Sequence, residues 1–292
     1  MEKKEICILI LINIKDDLIL NMINNICLVE NINNCKIIFW QNSLNGNKFF
    51  TAEKYGKNHL QCGHIIKKNL FKFSNAEYIL NEPSQNLYID RHKAIDYCYN
   101  FSDNVIYVED DIIMSKEFVN YFLYFIKNEL IGTEPGKNQF IAGESIFFDS
   151  KNIEVSENFI NKIKKIISDN ELHKYYINVD FTPSSCLLFN IKIWEQIKKK
   201  SQGSLGMTFL NNFCKENNYK SVCPVVSLCQ DIGMLHDMGY SVRIHGKEKV
   251  KEIKNSYIMN EYNNNEYILY KKNKGKLYNI SVLLNDCNID IE

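Results

Sequence analysis

Seven consecutive apolar residues, Ile6–Ile12 (ICILILI), constrain this chain more than any other feature. A strand that is apolar at every position has no face to give to water, so it belongs inside a sheet covered on both sides. At seven residues it is far too short to cross a bilayer. Lys3 and Lys4 imitate the start of a secretory leader, but Glu2 and Glu5 stand beside them. Asn13, Lys15, Asp16 and Asp17 come next, with no small-residue cleavage site. The run is expected to be a buried first strand.

Beyond this run, helical and strand patterns alternate. Leu18, Met22, Ile26 and Val29 recur every three or four residues behind Asp16 and Asp17, as in an amphipathic helix. Lys36–Trp40 (KIIFW) reads as a second strand ending in the turn-prone Gln41–Gly46, Glu77–Leu80 as a short third, and Val105–Val108 (VIYV) as a fourth. Residues 86–100 read as a helix with Leu87, Ile95, Cys98 and Tyr99 on its apolar face. Strands separated by helices imply crossover units and a mixed, mainly parallel α/β sheet flanked by helices. Such a sheet binds ligands at the carboxyl ends of its strands. Beyond residue 130 the pattern becomes α+β: strands at Phe140–Phe148, Cys186–Phe189 and Val222–Val226, helices at Phe159–Ile167 and Phe209–Asn217, and a Gly/Ser loop at Ser201–Gly206. This second half is expected to pack on the first sheet. A hairpin is expected around Lys271–Lys276.

Composition narrows the function. Lys and Arg number 35 and Asp and Glu 35, so the chain lacks the basic excess of a general nucleic-acid binder. Arg91 and Arg243 are the only arginines, which makes each a candidate for a special role. The ten cysteines contain no CxxC pair and are sparse for a disulfide scaffold, so they are expected to be reduced, mostly buried thiols of a cytoplasmic protein.

The fourth strand runs into Glu109-Asp110-Asp111. Three adjacent carboxylates repel one another, and a hard divalent cation, Mg²⁺ or Mn²⁺, offsets this well because it takes oxygen ligands and shares its shell with phosphates. Strand alternation would put Glu109 and Asp111 on one side and Asp110 on the other. Ser115 then stands where a helix cap would, before Lys116–Leu130 with Phe118, Phe122, Phe125 and Ile126 on one face.

The stretch NVIYVEDDIIMSKEFVNYF resembles the metal-binding motif of GT-A glycosyltransferases, particularly the N-acetylglucosaminyltransferase I type and related bacterial sugar transferases. ICILILINIKDDLILNMINNI is similar to their first strand and helix, and NLYIDRHKAIDYCY to the helix before the motif. The likeness covers residues 5–130 well and 180–246 loosely. It implies a GT-A (Rossmann-like) catalytic domain over 1–246, with a nucleotide-sugar half at 1–115, an acceptor half at 116–246 and a small appendage at 247–292. The implied function is metal-dependent transfer of a sugar from a nucleotide-diphosphate donor, UDP favoured, to a glycan or glycolipid hydroxyl in surface polysaccharide synthesis.

On that resemblance Asp111 would bind Mn²⁺ or Mg²⁺, with Glu109 and Asp110 near the ribose and diphosphate. Asn13 and Gln41 would border the base, and Arg91 would face the phosphates or buttress the acids. His245 would close the metal-diphosphate site. Asp231, in VSLCQDIG, would be a further metal or diphosphate contact, the base that deprotonates the acceptor, or simply the opening of a turn. Inverting relatives carry an acid where this chain reads Leu205-Gly206-Met207-Thr208-Phe209, so the base falls to Asp231, Glu144 or Asp180, or the mechanism is retaining.

Other readings are weaker. His59-Leu60-Gln61-Cys62-Gly63-His64 lacks a fourth zinc ligand at suitable spacing and reads as an ordinary loop. No Walker A or GxGxxG sequence occurs. A nucleotidyltransferase would show a Gly-rich loop with a basic residue after the first strand, which Asn13–Asp17 does not. A catalytically silent sugar- or nucleotide-binding module is the non-enzymatic alternative. Lys247, Lys249, Lys251, Lys254 and Lys271–Lys276 make the carboxyl-terminal end a candidate for peripheral contact with anionic lipid at the inner membrane face.

Overall fold

A computed structural model describes residues 3–44, 51–82, 87–134, 137–143, 176–179, 186–201, 207–224, 228–233, 236–238, 242, 246–248, 260–263 and 266–269. The apolar run forms strand β1 (Cys7–Ile12), buried at every position, as a strand covered on both faces must be. It pairs in parallel with β2 (Lys36–Asn42) on one side and β4 (Asn104–Glu109) on the other, while β3 (Ala76–Asn81) lies outside β2. Helices α1 (Asp16–Ile26), α2 (Ala52–Asn69) and α3 (Leu87–Cys98) make the crossovers. Register places Ile12 beside Gln41, Leu11 beside Glu109, and Asn42 beside Asn81. Four strand ends therefore share one edge.

The second half extends this sheet instead of packing on it as separate α+β material. Strand β8 (Cys186–Asn190) runs antiparallel to β4, and β6 (Phe140–Ala142), β9 (Ser221–Pro224) and β7 (Tyr176–Val179) lie beyond it. The order is β3-β2-β1-β4-β8-β6-β9-β7, with β8 and β7 reversed: a mixed, mainly parallel sheet, as the alternation predicts. Around it sit α4 (Phe118–Lys127), α5 (Ile191–Lys200) and α6 (Met207–Asn217). Helix α4 buries Phe118, Tyr121, Phe122 and Phe125, and Trp194 of α5 joins the same core. A hairpin, β11 (Asn260–Asn263) with β12 (Glu266–Leu269), is also present, whereas the one expected at Lys271–Lys276 lies outside the described residues, as does the helix expected at Phe159–Ile167.

Two local expectations are corrected. His59–His64 is not a loop but part of the long helix α2, capped by Thr51 Oγ1, which accepts from the Lys54 N–H. Its buried side carries Tyr55, His59, Cys62, Gly63 and Ile66, while His64 is exposed, so the three candidate zinc ligands do not converge. Ser115 does not cap α4: its hydroxyl is buried without a hydrogen-bond partner, and its N–H donates to Leu228 O at 2.8 Å. The described cysteines are all free, and all but Cys27 are buried. Burial pushes the Cys35 thiol up to about 12, consistent with unreactive packing. Among the described residues, no helix is long and apolar enough to cross a membrane.

Candidate active site

The site assembles where β4 stops. Glu109 is its last residue, and Asp110-Asp111 form a turn before β5 (Ile112–Met114), which leaves the main sheet to pair antiparallel with β10 (Cys229–Asp231). Because the strand ends at Glu109, alternation ends there too. Asp110 and Asp111 turn toward the same ammonium and Glu109 toward Arg91, so Asp111 groups with Asp110 and not, as expected, with Glu109. Asn25 of α1 clamps β5 from behind: its amide donates to Met114 O at 2.9 Å, and its Oδ1 accepts from the Met114 N–H at 2.6 Å.

That ammonium belongs to Lys15, the last residue of the short β1–α1 connection. Lys15 donates to Asp111 Oδ2, and its Nζ lies 3.7 Å from Asp110 Oδ1. All three residues are buried. Asp110 Oδ2 accepts from the Asn13 N–H at 2.6 Å. The remaining oxygens, Asp110 Oδ1 and Asp111 Oδ1, are buried and make no hydrogen bond. Burial drives the Asp110 carboxyl upward, to about 7, with Asp111 and Glu109 adding to the rise while Lys15 and the Asn13 N–H oppose it. Burial would also push the Lys15 ammonium down, but Asp110, Asp111 and Glu109 together hold it above the ordinary lysine range.

Glu109 has a different partner. Arg91 Nη2 lies 3.5 Å from Glu109 Oε1, which also accepts from Tyr107 Oη at 3.1 Å, and the guanidinium stands 5.7 Å over the Tyr107 ring. Gln41 is fully buried beneath the edge. Its Nε2 donates to His59 O at 2.8 Å and Asn13 O at 3.4 Å, and its Oε1 accepts from Tyr78 Oη at 2.6 Å. Gly63 of α2 makes this possible, since a Cβ there would lie 2.7 Å from Tyr78 Oη.

The segment after β10 folds back over the acids. Ile232 N–H donates to Asp111 O at 2.9 Å, and a Cβ at Gly233 would sit 2.5 Å from Asp111 Cβ. His236 Nε2 then lies 3.0 Å from both carboxylate oxygens of Asp17 at the start of α1, and Met238 packs on Ile14, Leu44 and Tyr55. Asp231 enters through its backbone, opposite Ile112. Glu144, Asp180 and His245 lie outside the described residues.

Sequence reasoning missed Lys15, Gly233 and His236. A signal for Lys15 was present: it is the one basic residue between β1 and α1, next to the strand ends where ligands bind.

Among the described residues, no three His, Cys, Asp or Glu side chains cluster to hold a metal. Two buried carboxylate oxygens without donors nevertheless suit a hard cation, which commonly takes one or two carboxylates and completes its shell with water and substrate phosphates.

No family model matches this chain. It is 25% identical over 269 residues to Protein Ycf2 of Physcomitrium patens, a match that covers 87% of this chain and 11% of that protein's length. Structural similarity is found to S. aureus TarS 1-349, with TM-score 0.45 and 10% identity over 76% of this chain and 58% of that one. The 4-diphosphocytidyl-2C-methyl-D-erythritol synthase from Anaerococcus prevotii gives TM-score 0.42 and 14% identity over 86% of this chain and 100% of that one. A mannosyltransferase, PcManGT from Pyrobaculum calidifontis in complex with GDP-Man and Mn2+, gives TM-score 0.42 and 7% identity over 79% and 58%.

Proposed function

We propose that this chain is a GT-A-type glycosyltransferase that moves a sugar from a nucleotide-diphosphate donor, UDP favoured, to a glycan or glycolipid hydroxyl, with Mn²⁺ or Mg²⁺ at Asp111. The observation that supports it is the pair of buried, donor-less carboxylate oxygens of Asp110 and Asp111 at the carboxyl end of β4, beside the end of β1. In this reading Asn13 and Glu109 border the nucleoside. Gln41 acts as a positioning residue through its bond to the Asn13 carbonyl, and Arg91 orients Glu109. Asp231 and Glu144 are the candidates to take the acceptor proton. When bound, a divalent ion would offset the charge of the departing diphosphate.

The test is calorimetry with UDP, GDP, CMP and dTDP, each with Mn²⁺, and then assays of sugar-nucleotide hydrolysis and transfer. UDP binding that requires Mn²⁺, and turnover reduced by orders of magnitude in Asp111→Asn, is the expected result. Wild-type turnover in that variant overturns the proposal. Binding without turnover under any acceptor favours the silent module.

A nucleotidyltransferase is the second reading, and Lys15 favours it, because a basic residue does stand after β1 against the acids. It is distinguished by its product, inorganic pyrophosphate instead of a nucleoside diphosphate.

A further inference from the structure

A cation already sits on the two aspartates. The Lys15 ammonium donates to Asp111 Oδ2 and lies 3.7 Å from Asp110 Oδ1, with its side chain only 10% exposed. Of the four carboxylate oxygens, one takes this ammonium and one takes the Asn13 N–H. The other two make no hydrogen bond. A divalent ion drawn to those two would come within a few ångströms of Nζ, in a medium where like charges repel far more strongly than in water. Both cations cannot hold the pair together. Lysine is suited to leaving, since its charge rides on a flexible four-carbon stem.

We propose that Lys15 is the resident counter-ion of the Asp110–Asp111 pair, and that a divalent ion enters this site only by displacing it. The proposal rests on the metal-dependent reading above and adds a residue that sets metal occupancy. Displacement has a second consequence. The freed ammonium stands at the start of α1, where a bound diphosphate would meet it as a point charge. Lys15 thus leaves the carboxylates for the phosphates when metal and donor arrive together. Without metal, the lysine keeps the buried carboxylates from facing each other uncompensated.

The experiment measures Mn²⁺ alone binding to the full chain, by the loss of the free-ion paramagnetic signal, in wild type, Lys15→Met and Lys15→Arg. In parallel, acetylation of Lys15 by acetic anhydride in the wild-type chain is tracked by mass spectrometry, with and without Mn²⁺. At least tenfold tighter binding in Lys15→Met, no gain in Lys15→Arg, and several-fold faster acetylation of Lys15 with Mn²⁺ are expected. Should Lys15→Met fail to fold, the wild-type acetylation rate decides alone. Wild-type Mn²⁺ binding with no gain in Lys15→Met and no change in acetylation overturns this inference and leaves the metal-dependent reading standing. Binding by Lys15→Met only supports the inference and overturns metal dependence of the natural chain. Binding by neither overturns both.

Discussion

The acidic triplet meets its two basic partners in different surroundings. Glu109 faces Arg91 at 3.5 Å with side chains 38% and 23% exposed, whereas Asp110 and Asp111 face Lys15 with almost no access to water. The first cation faces one carboxylate and the second faces two. Solvent screens the first pair and leaves it little weight, while the second pair carries a large desolvation cost that only the partner offsets. A carboxylate's position along the triplet therefore decides whether solvent or a buried ammonium offsets its charge.

Removing one member from the buried side should break this contrast most visibly. Lys15→Met in chelator is expected to lose about 3–5 kcal/mol of unfolding free energy, measured by urea denaturation, because two buried carboxylates lose their counter-ion. Gly233→Ala forces a methyl into Asp111. The expected cost is about 1–3 kcal/mol, with weakened Mn²⁺ binding, since either the aspartate or the segment from Cys229 to Ile232 must move.

Acid titration sharpens the comparison from the other direction. Burial pushes the Asp110 carboxyl up to about 7 in the folded chain from its ordinary value of 3.8, so the folded state holds the extra proton between these values. The contribution of Asp110 to stability without metal should be greatest below about pH 4, fall as pH rises toward 7, and level off above. Asp110→Asn should flatten that fall, as measured by the urea midpoint at several pH values. The smallest effect is expected at the half-buried pair: Arg91→Gln should cost about 0.2–1 kcal/mol, a cost that shrinks further in high salt.

The same contrast runs through what the sequence discloses. Local signals carried far: ICILILI and VIYV mark the two central strands, and Asp16 opens α1 where the acidic start suggests. The Glu109–Asp111 cluster is visible because its letters are adjacent. Helix α2 was hidden because its inward face uses Tyr55, His59, Cys62 and Gly63, residues that give no clear apolar stripe. The joining of β8 and β6 to the first sheet depends on pairings between residues tens of positions apart. Lys15 and Asp111 are 96 residues apart, so the lysine reads locally as a polar residue before a helix. Gly233 carries no periodic signal at all, because its meaning lies in the atom it lacks beside Asp111.

A crystal soaked with MnCl₂ and UDP tests the central claim most directly. Anomalous scattering from manganese on the Asp110–Asp111 carboxylates, with the uracil near Asn13 and Lys15 swung away toward the diphosphate, is the predicted result. Manganese and nucleotide elsewhere on the molecule, with Lys15 still seated on Asp111, would contradict the account.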